Sequence, residues 1–171
     1  FCDHQFLSTL SQKEITSGMA EVFKHAIIGD HQLWKHLANQ NIDSLDYEYL
    51  IPRSSNLKLE IVKADPQEEG VRKKLNFGHT VGHAIESALL LRDKPTLHGF
   101  AVAFGMIAES FLSSKLKLCS LDTYKEIKHN LNDFFKPHLN FNINEKSVFE
   151  FMTHDKKNNH SLINFSLPKK I

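Results

Sequence analysis

His79 and His83 stand four residues apart in Leu75-Asn76-Phe77-Gly78-His79-Thr80-Val81-Gly82-His83-Ala84-Ile85-Glu86. On a helix that spacing projects both imidazoles from one face, about one turn apart. A third imidazole, His98, follows in Leu97-His98-Gly99. Imidazole is the commonest nitrogen ligand for zinc and similar ions. Glu21 lies upstream on a helix that also carries Lys24, and it offers a carboxylate oxygen. Two histidines, a glutamate and an open fourth position hold a catalytic ion rather than a structural one. The chain has 11 histidines, so a pair at this spacing also arises from ordinary surface or core residues. Gly78, Gly82 and Gly99 flank the histidines. Glycine costs a helix roughly 1 kcal/mol relative to alanine, so its presence here argues for close approach of backbone or ligand.

The elements that must position these groups read as helices. Ser11-Gln12-Lys13-Glu14 has capping-box form, and a helix follows to about Gly29 with Gly18, Glu21, Lys24 (or His25) and Ile28 on one face. Asp30 caps a second helix through Trp34 and Leu37. A third runs from about Ser44 to Ala64, with Pro52 marking a break or a new first turn, and Asp65-Pro66 ends it. Gln67 to Lys74 is charged and reads as a loop. The histidine helix spans about Gly78 to Leu91, and an apolar helix follows from His98 to about Leu116. Further helices run from Leu121 to Phe135 and from Glu145 to about Met152. Ile163 to Phe165 reads as a strand closed by Pro168. The expected class is mainly α, a multi-helix domain with a short β element near the C-terminus.

Composition narrows the function. Net charge is +1, which gives no electrostatic case for nucleic acid or a membrane surface. No apolar run approaches the ~20 residues of a membrane span. Cys2 and Cys119 make no disulfide framework and match no zinc-knuckle spacing, so a reducing, cytoplasmic compartment is expected. The 171 residues suit one domain, 1–171. A first residue that is Phe1 rather than methionine, and a strand close to Ile171, suggest a piece of something longer.

Four segments together resemble one family. Ser17-Gly18-Met19-Ala20-Glu21-Val22-Phe23-Lys24, the Arg72 to Glu86 stretch, Leu97-His98-Gly99 and Asp155-Lys156-Lys157 are similar, in order and spacing, to 3-dehydroquinate synthase. The resemblance is to that family's C-terminal helical domain and covers essentially the whole chain. It implies cyclisation of 3-deoxy-D-arabino-heptulosonate 7-phosphate to 3-dehydroquinate with loss of phosphate, in the shikimate pathway of aromatic amino-acid biosynthesis. It also implies Zn2+ or Co2+, NAD held mostly by an N-terminal domain, and a homodimeric parent enzyme. No G-x-G-x-x-G stands in this chain, so the NAD-binding domain is expected to lie outside it.

Carried over residue by residue, the resemblance assigns the metal to Glu21, His79 and His98. It gives His83 to the substrate's phosphate and to proton transfer. Lys24, Arg72, Asn76 and Lys156 form the shell for carboxylate and phosphate, with Arg72 as a bidentate fork and the lysines as point charges. Lys157 is equally well read as a surface charge. The positive groups show no internal partner in the sequence and are expected to line one concave surface. Arg72 and Lys156 are expected to be mobile without substrate. The departure is Phe100, where many members carry glutamate; the tuning of His98 or the specificity is what this change touches.

Three other readings stay open. A sister sugar-phosphate cyclase would share most of the motif set. A metal-dependent polyol dehydrogenase would share the two-domain plan, but typically has Asp where Glu21 stands. A non-enzymatic helical metal-binding module would bind an ion without a phosphorylated ligand. A zinc hydrolase is a weaker reading still, because Thr80 stands where its His-Glu-x-x-His signature needs a glutamate.

Overall fold

The computed structural model describes residues 3–38, 40, 42–154 and 162–171, apart from the side chains of residues 43 and 154. Lys156, Lys157 and Asp155 lie outside the described residues. Among the described residues seven α-helices follow in chain order: α1 (Gln12–Gly29), α2 (His31–Leu37), α3 (Tyr47–Ala64), α4 (His79–Leu90), α5 (His98–Lys115), α6 (Leu121–Phe135) and α7 (Glu145–His154). Short 3-10 turns occupy His4–Thr9, Ile42–Ser44, Val71–Asn76 and Lys136–His138.

Local chemistry explains the boundaries. Ser11 and Glu14 form a reciprocal capping box at the start of α1. The Asp30 side chain accepts from Leu33 N–H at 3.0 Å and starts α2 directly after α1 ends. Helix α3 starts at Tyr47, later than the expected Ser44, and Asp46 caps it. Pro52 sits inside α3 without ending it. Its missing N–H would have met the carbonyl of Glu48, an exposed residue that water can serve. Leu50 and Ser54, buried on either side of Pro52, keep the helix seated. The charged stretch after α3 is more ordered than a loop. The Asp65 carboxylate accepts the backbone N–H groups of Glu69, Gly70 and Arg72, and the 3-10 turn Val71–Asn76 follows.

The C-terminal strand does not form. No strand occurs among the described residues, and Leu162 makes only a single bridge. Side-chain hydroxyls seat the final segment in place of a backbone ladder. Thr80 Oγ1 donates to Asn164 O at 3.0 Å, Ser166 Oγ to Lys73 O at 2.6 Å, and Ser113 Oγ to Pro168 O at 2.5 Å.

Helix α5 is the centre of the packing, with α4, α1 and α6 against it and α7 on the outer side of α4. Ala101, Val102, Ala103 and Met106 have no exposed surface, which accounts for a helix apolar on most sides. The main core joins Phe23, Trp34, Phe77, Phe100, Met106, Ile127, Leu131 and Phe135 from four helices and the turn before α4. A second cluster, around Ile85, Leu89 and Val148, fastens α7 to α4. The α4–α5 crossing is close enough that a Cβ on Gly105 would lie 2.0 Å from the Gly78 carbonyl oxygen.

Candidate metal and anion site

His79 is the first residue of α4 and His98 the first of α5, so two helix N-termini meet at one place. Mid-helix Glu21 reaches them from α1. The ring centroids of His79 lie 5.2 Å from those of both His83 and His98, and His83 and His98 are 5.7 Å apart. One ligand nitrogen from each of these three rings falls within 4.8 Å of the others. Glu21 Oε1 lies 3.6 Å from His79 Nε2.

The polar atoms around this point are arranged for a cation. His79 Nδ1 lies 3.2 Å from Phe77 O, which only accepts. The proton is therefore on Nδ1, and the Nε2 lone pair faces Glu21. Burial and the nearby Lys24 push His79 down to about 4, so the ring is neutral at pH 7, as a ligand must be. Burial alone would raise Glu21, but Lys24 overrides it and holds the carboxyl below its usual range. Lys24 Nζ takes Glu21 Oε2 at 2.7 Å. Glu21 Oε1 is buried and has no hydrogen-bond partner. An orphaned carboxylate oxygen is costly, and a cation removes that cost. Two ligand atoms of one tetrahedral zinc ion sit roughly 3.4 Å apart, close to the Glu21–His79 separation. The donor set therefore fits a zinc-like ion.

His98 is oriented by a group that the sequence reading left unassigned. Its Nδ1 lies 3.0 Å from Glu86 Oε2, and this bond raises the His98 pKa. The carboxylate fixes the proton on Nδ1 and leaves Nε2 for a ligand role, the usual way a metal-binding imidazole is held. Glu86 is seven residues after His79 and three after His83, hence on the same stripe of α4. That spacing was the available signal. Phe100 does not enter this arrangement. It is 1% exposed, in the main core, and stacks on His138 at 4.1 Å.

Two further buried groups surround the site. Glu109, on α5, has no exposed surface and accepts from the backbone at the start of α4. His25 Nδ1 meets Ser54 Oγ at 2.6 Å, joining α1 to α3. Burial, then the charge of Lys24, push His25 down to about 4. A single carboxylate in the apolar run of α5 was the sequence signal for Glu109.

The anion shell is only partly assembled. Lys24 is 3% exposed and paired with Glu21, so it has the internal partner that the sequence did not reveal. Arg72 is also partnered: Nη1 donates to Pro66 O at 2.7 Å and Nε lies 4.0 Å from Glu68. Asn76 Nδ2 donates to Glu68 Oε1 at 2.7 Å. Arg72 and Asn76 thus converge on Glu68, beside the histidine cluster in sequence but engaged with one another's acceptor. The expectation that these cations lack internal partners is corrected for both Lys24 and Arg72.

Comparison with known proteins follows the same lines. Residues 18–158 match the family model described as 3-dehydroquinate synthase C-terminal. The chain is 40% identical over 175 residues to a 3-dehydroquinate synthase of Parabacteroides distasonis, covering 100% of this chain and 49% of that protein. It is 40% identical over 172 residues to that of Campylobacter concisus, again covering 100% and 49%. The chain therefore spans about half the length of these relatives. Among solved structures, 2-epi-5-epi-valiolone synthase from Streptomyces hygroscopicus, with NAD+ and Zn2+ bound, superposes with a TM-score of 0.83 at 21% identity, over 99% of this chain and 48% of that one. A 2-deoxy-scyllo-inosose synthase with carbaglucose-6-phosphate, NAD+ and Co2+ gives 0.75 at 23% identity, over 90% and 44%. At these identities the structural likeness speaks for the fold. No helix among the described residues is long and apolar enough to cross a membrane.

Proposed function

Because the chain belongs to the 3-dehydroquinate synthase family, we propose that it is the metal- and substrate-holding helical half of a 3-dehydroquinate synthase. The proposed reaction of the whole protein is the cyclisation of 3-deoxy-D-arabino-heptulosonate 7-phosphate to 3-dehydroquinate with release of phosphate. It would run in the cytoplasm, in a homodimer, with NAD bound mostly by residues outside this chain. The 40% identity to dehydroquinate synthases, against 21% and 23% to the two other cyclases, supports this branch over a sister activity. The observation that carries the metal reading is the buried, unpartnered Glu21 Oε1 facing His79 Nε2.

In this reading Glu21, His79 and His98 hold Zn2+ or Co2+. The ion supplies Lewis acidity to a substrate hydroxyl, and NAD supplies a hydride acceptor. The chain's residues do the rest. Glu86 keeps the His98 proton on Nδ1. Lys24, packed against Glu21, limits the negative charge of the carboxylate and offers an N–H to a substrate oxygen. His83, one turn beyond His79, exchanges a proton with the substrate near its phosphate. Arg72 and Asn76 exchange Pro66 O and Glu68 for substrate oxygens, and Lys156 completes the anion shell.

Zinc content and zinc affinity of alanine variants test the assignment. Glu21→Ala, His79→Ala and His98→Ala each lose stoichiometric zinc, whereas His83→Ala keeps zinc and loses turnover in the full-length protein. Full zinc in His98→Ala would refute the ligand set. Equal zinc loss in His83→Ala and His79→Ala would show that the two histidines have been divided wrongly.

A further inference from the structure

Helix α4 begins with His79, yet the residue that should cap it cannot do so. Gly78 occupies the N-cap position with φ +80°, in the left-handed region. A Cβ there would meet Met106 Cγ at 2.5 Å and Val102 O at 2.8 Å. No capping side chain of the Ser, Asp or Asn kind fits at that position. The orphan N–H groups of the first turn must find acceptors elsewhere.

Glu109 supplies them from α5. Its Oε2 accepts from Gly78 N–H at 2.8 Å and its Oε1 from Val81 N–H at 3.2 Å. The Thr80 N–H also points at the carboxylate. The side chain is fully buried, so these bonds are not shared with bulk water. The acceptor also lies at the positive end of the α4 dipole, which with these N–H groups opposes the burial that pushes the Glu109 carboxyl up to about 8. Both oxygens thus grip the three residues that bracket His79, and they do so from the helix that presents His98.

We infer that Glu109 is a positioning residue for the metal centre, fixing the His79-bearing end of α4 against the His98-bearing helix. The inference rests on the metal reading above. It goes beyond it in assigning ligand geometry to a group that touches neither ion nor substrate. A purely structural carboxylate would lower stability without altering how the folded protein holds an ion. A positioning carboxylate also lowers affinity and changes the coordination of the ion that binds.

The test uses Glu109→Gln, which keeps shape but faces Val81 N–H or Gly78 N–H with an amide donor, and Glu109→Asp, which keeps both oxygens one methylene back. Zinc affinity is measured by competition with a chromogenic chelator. The visible d–d spectrum is recorded after loading with Co2+. In the folded Gln variant, zinc affinity is expected to fall 10- to 100-fold, the size typical of such supporting groups, with an altered Co2+ spectrum. The Asp variant is expected to fall between Gln and wild type. Wild-type affinity and an unchanged Co2+ spectrum in either folded variant, alongside lowered stability, would overturn the inference while leaving the metal reading intact. A wild-type protein that binds neither ion would overturn both.

Discussion

Gly99→Ala should separate the two helices that carry His98 and Glu21. A Cβ at residue 99 would lie 1.8 Å from Ser17 O, 2.6 Å from Ser17 C and 2.7 Å from Ser17 Oγ. Ordinary contact begins at 3.4 Å, so the start of α5 must move by 3.4 − 1.8 = 1.6 Å away from α1. The obstacle is backbone and cannot rotate aside. That displacement breaks the 3.0 Å bond from Gly99 N–H to Ser17 Oγ, which is buried. Losing a buried partner costs about 1–3 kcal/mol, and forced displacement in a packed core costs about 1–3 kcal/mol more. The better helix propensity of alanine offsets about 1 kcal/mol. A net loss of about 1–5 kcal/mol is expected in urea unfolding. Because His98 rides on α5 and Glu21 on α1, zinc affinity of the folded protein should fall at least tenfold, by about 1.4 kcal/mol. Gly18→Ala, on the facing helix α1, is the control, since an added Cβ there meets nothing within 4 Å. It should be neutral or stabilising by about 0.5–1 kcal/mol. Gly99→Ala stability within about 0.5 kcal/mol of wild type, the range of inert substitutions, together with unchanged zinc affinity, would refute the reasoning.

Other expectations concern protonation and packing. His25 is held at about 4 against an ordinary 6.5, so between these values the unfolded chain binds more protons than the native one. Its contribution, about 3 kcal/mol, is present above pH 6.5 and lost as pH falls towards 4. Urea midpoints across that window should therefore drop more steeply for wild type than for His25→Asn, and parallel curves would count against it. Glu86→Gln removes the charged acceptor on His98, so the His98 pKa should fall and zinc affinity should drop about tenfold, measured by NMR titration and chelator competition. Phe100→Ala empties a buried ring from the main core and should cost about 3–5 kcal/mol in urea unfolding. On the proposed reading, in which NAD is held mostly by residues outside this chain, the 171 residues alone should show no dehydroquinate formation, because effective molarity collapses.

The helices were legible because their signals are local. Ser11-x-x-Glu14 and Asp30 each act within one turn, and the structure places caps at both. The third helix shows the limit: its expected start near Ser44 falls in a short 3-10 turn, and the helix begins at Tyr47, where the Asp46 side chain caps it. The apparent strand at Ile163–Phe165 had strand-like residues, but a ladder needs a partner backbone, and hydroxyls from α4, α5 and its own Ser166 claim the contacts instead. At the site, the sequence named Glu21, Lys24, His79, His83 and His98, which the fold brings together. It could not name Glu109, whose role depends on a contact across 31 positions and on Gly78 having no room for a side chain. It could not foresee Glu68 drawing Arg72 and Asn76 together, since that acceptor sits on a bend with φ 59°.

Both imidazole-bearing helices begin at the site, and each is anchored there by a neighbour: α4 by Glu109, α5 by Ser17. The first turn of a helix is where opening is cheapest, far below the free energy of global unfolding. On the proposed metal reading, an ion held at such termini could leave with one turn frayed and the core of α5 intact. Residence time is then set by two trans-helix anchors, and amide exchange at Gly78, Val81 and Gly99 should report the opening rate directly.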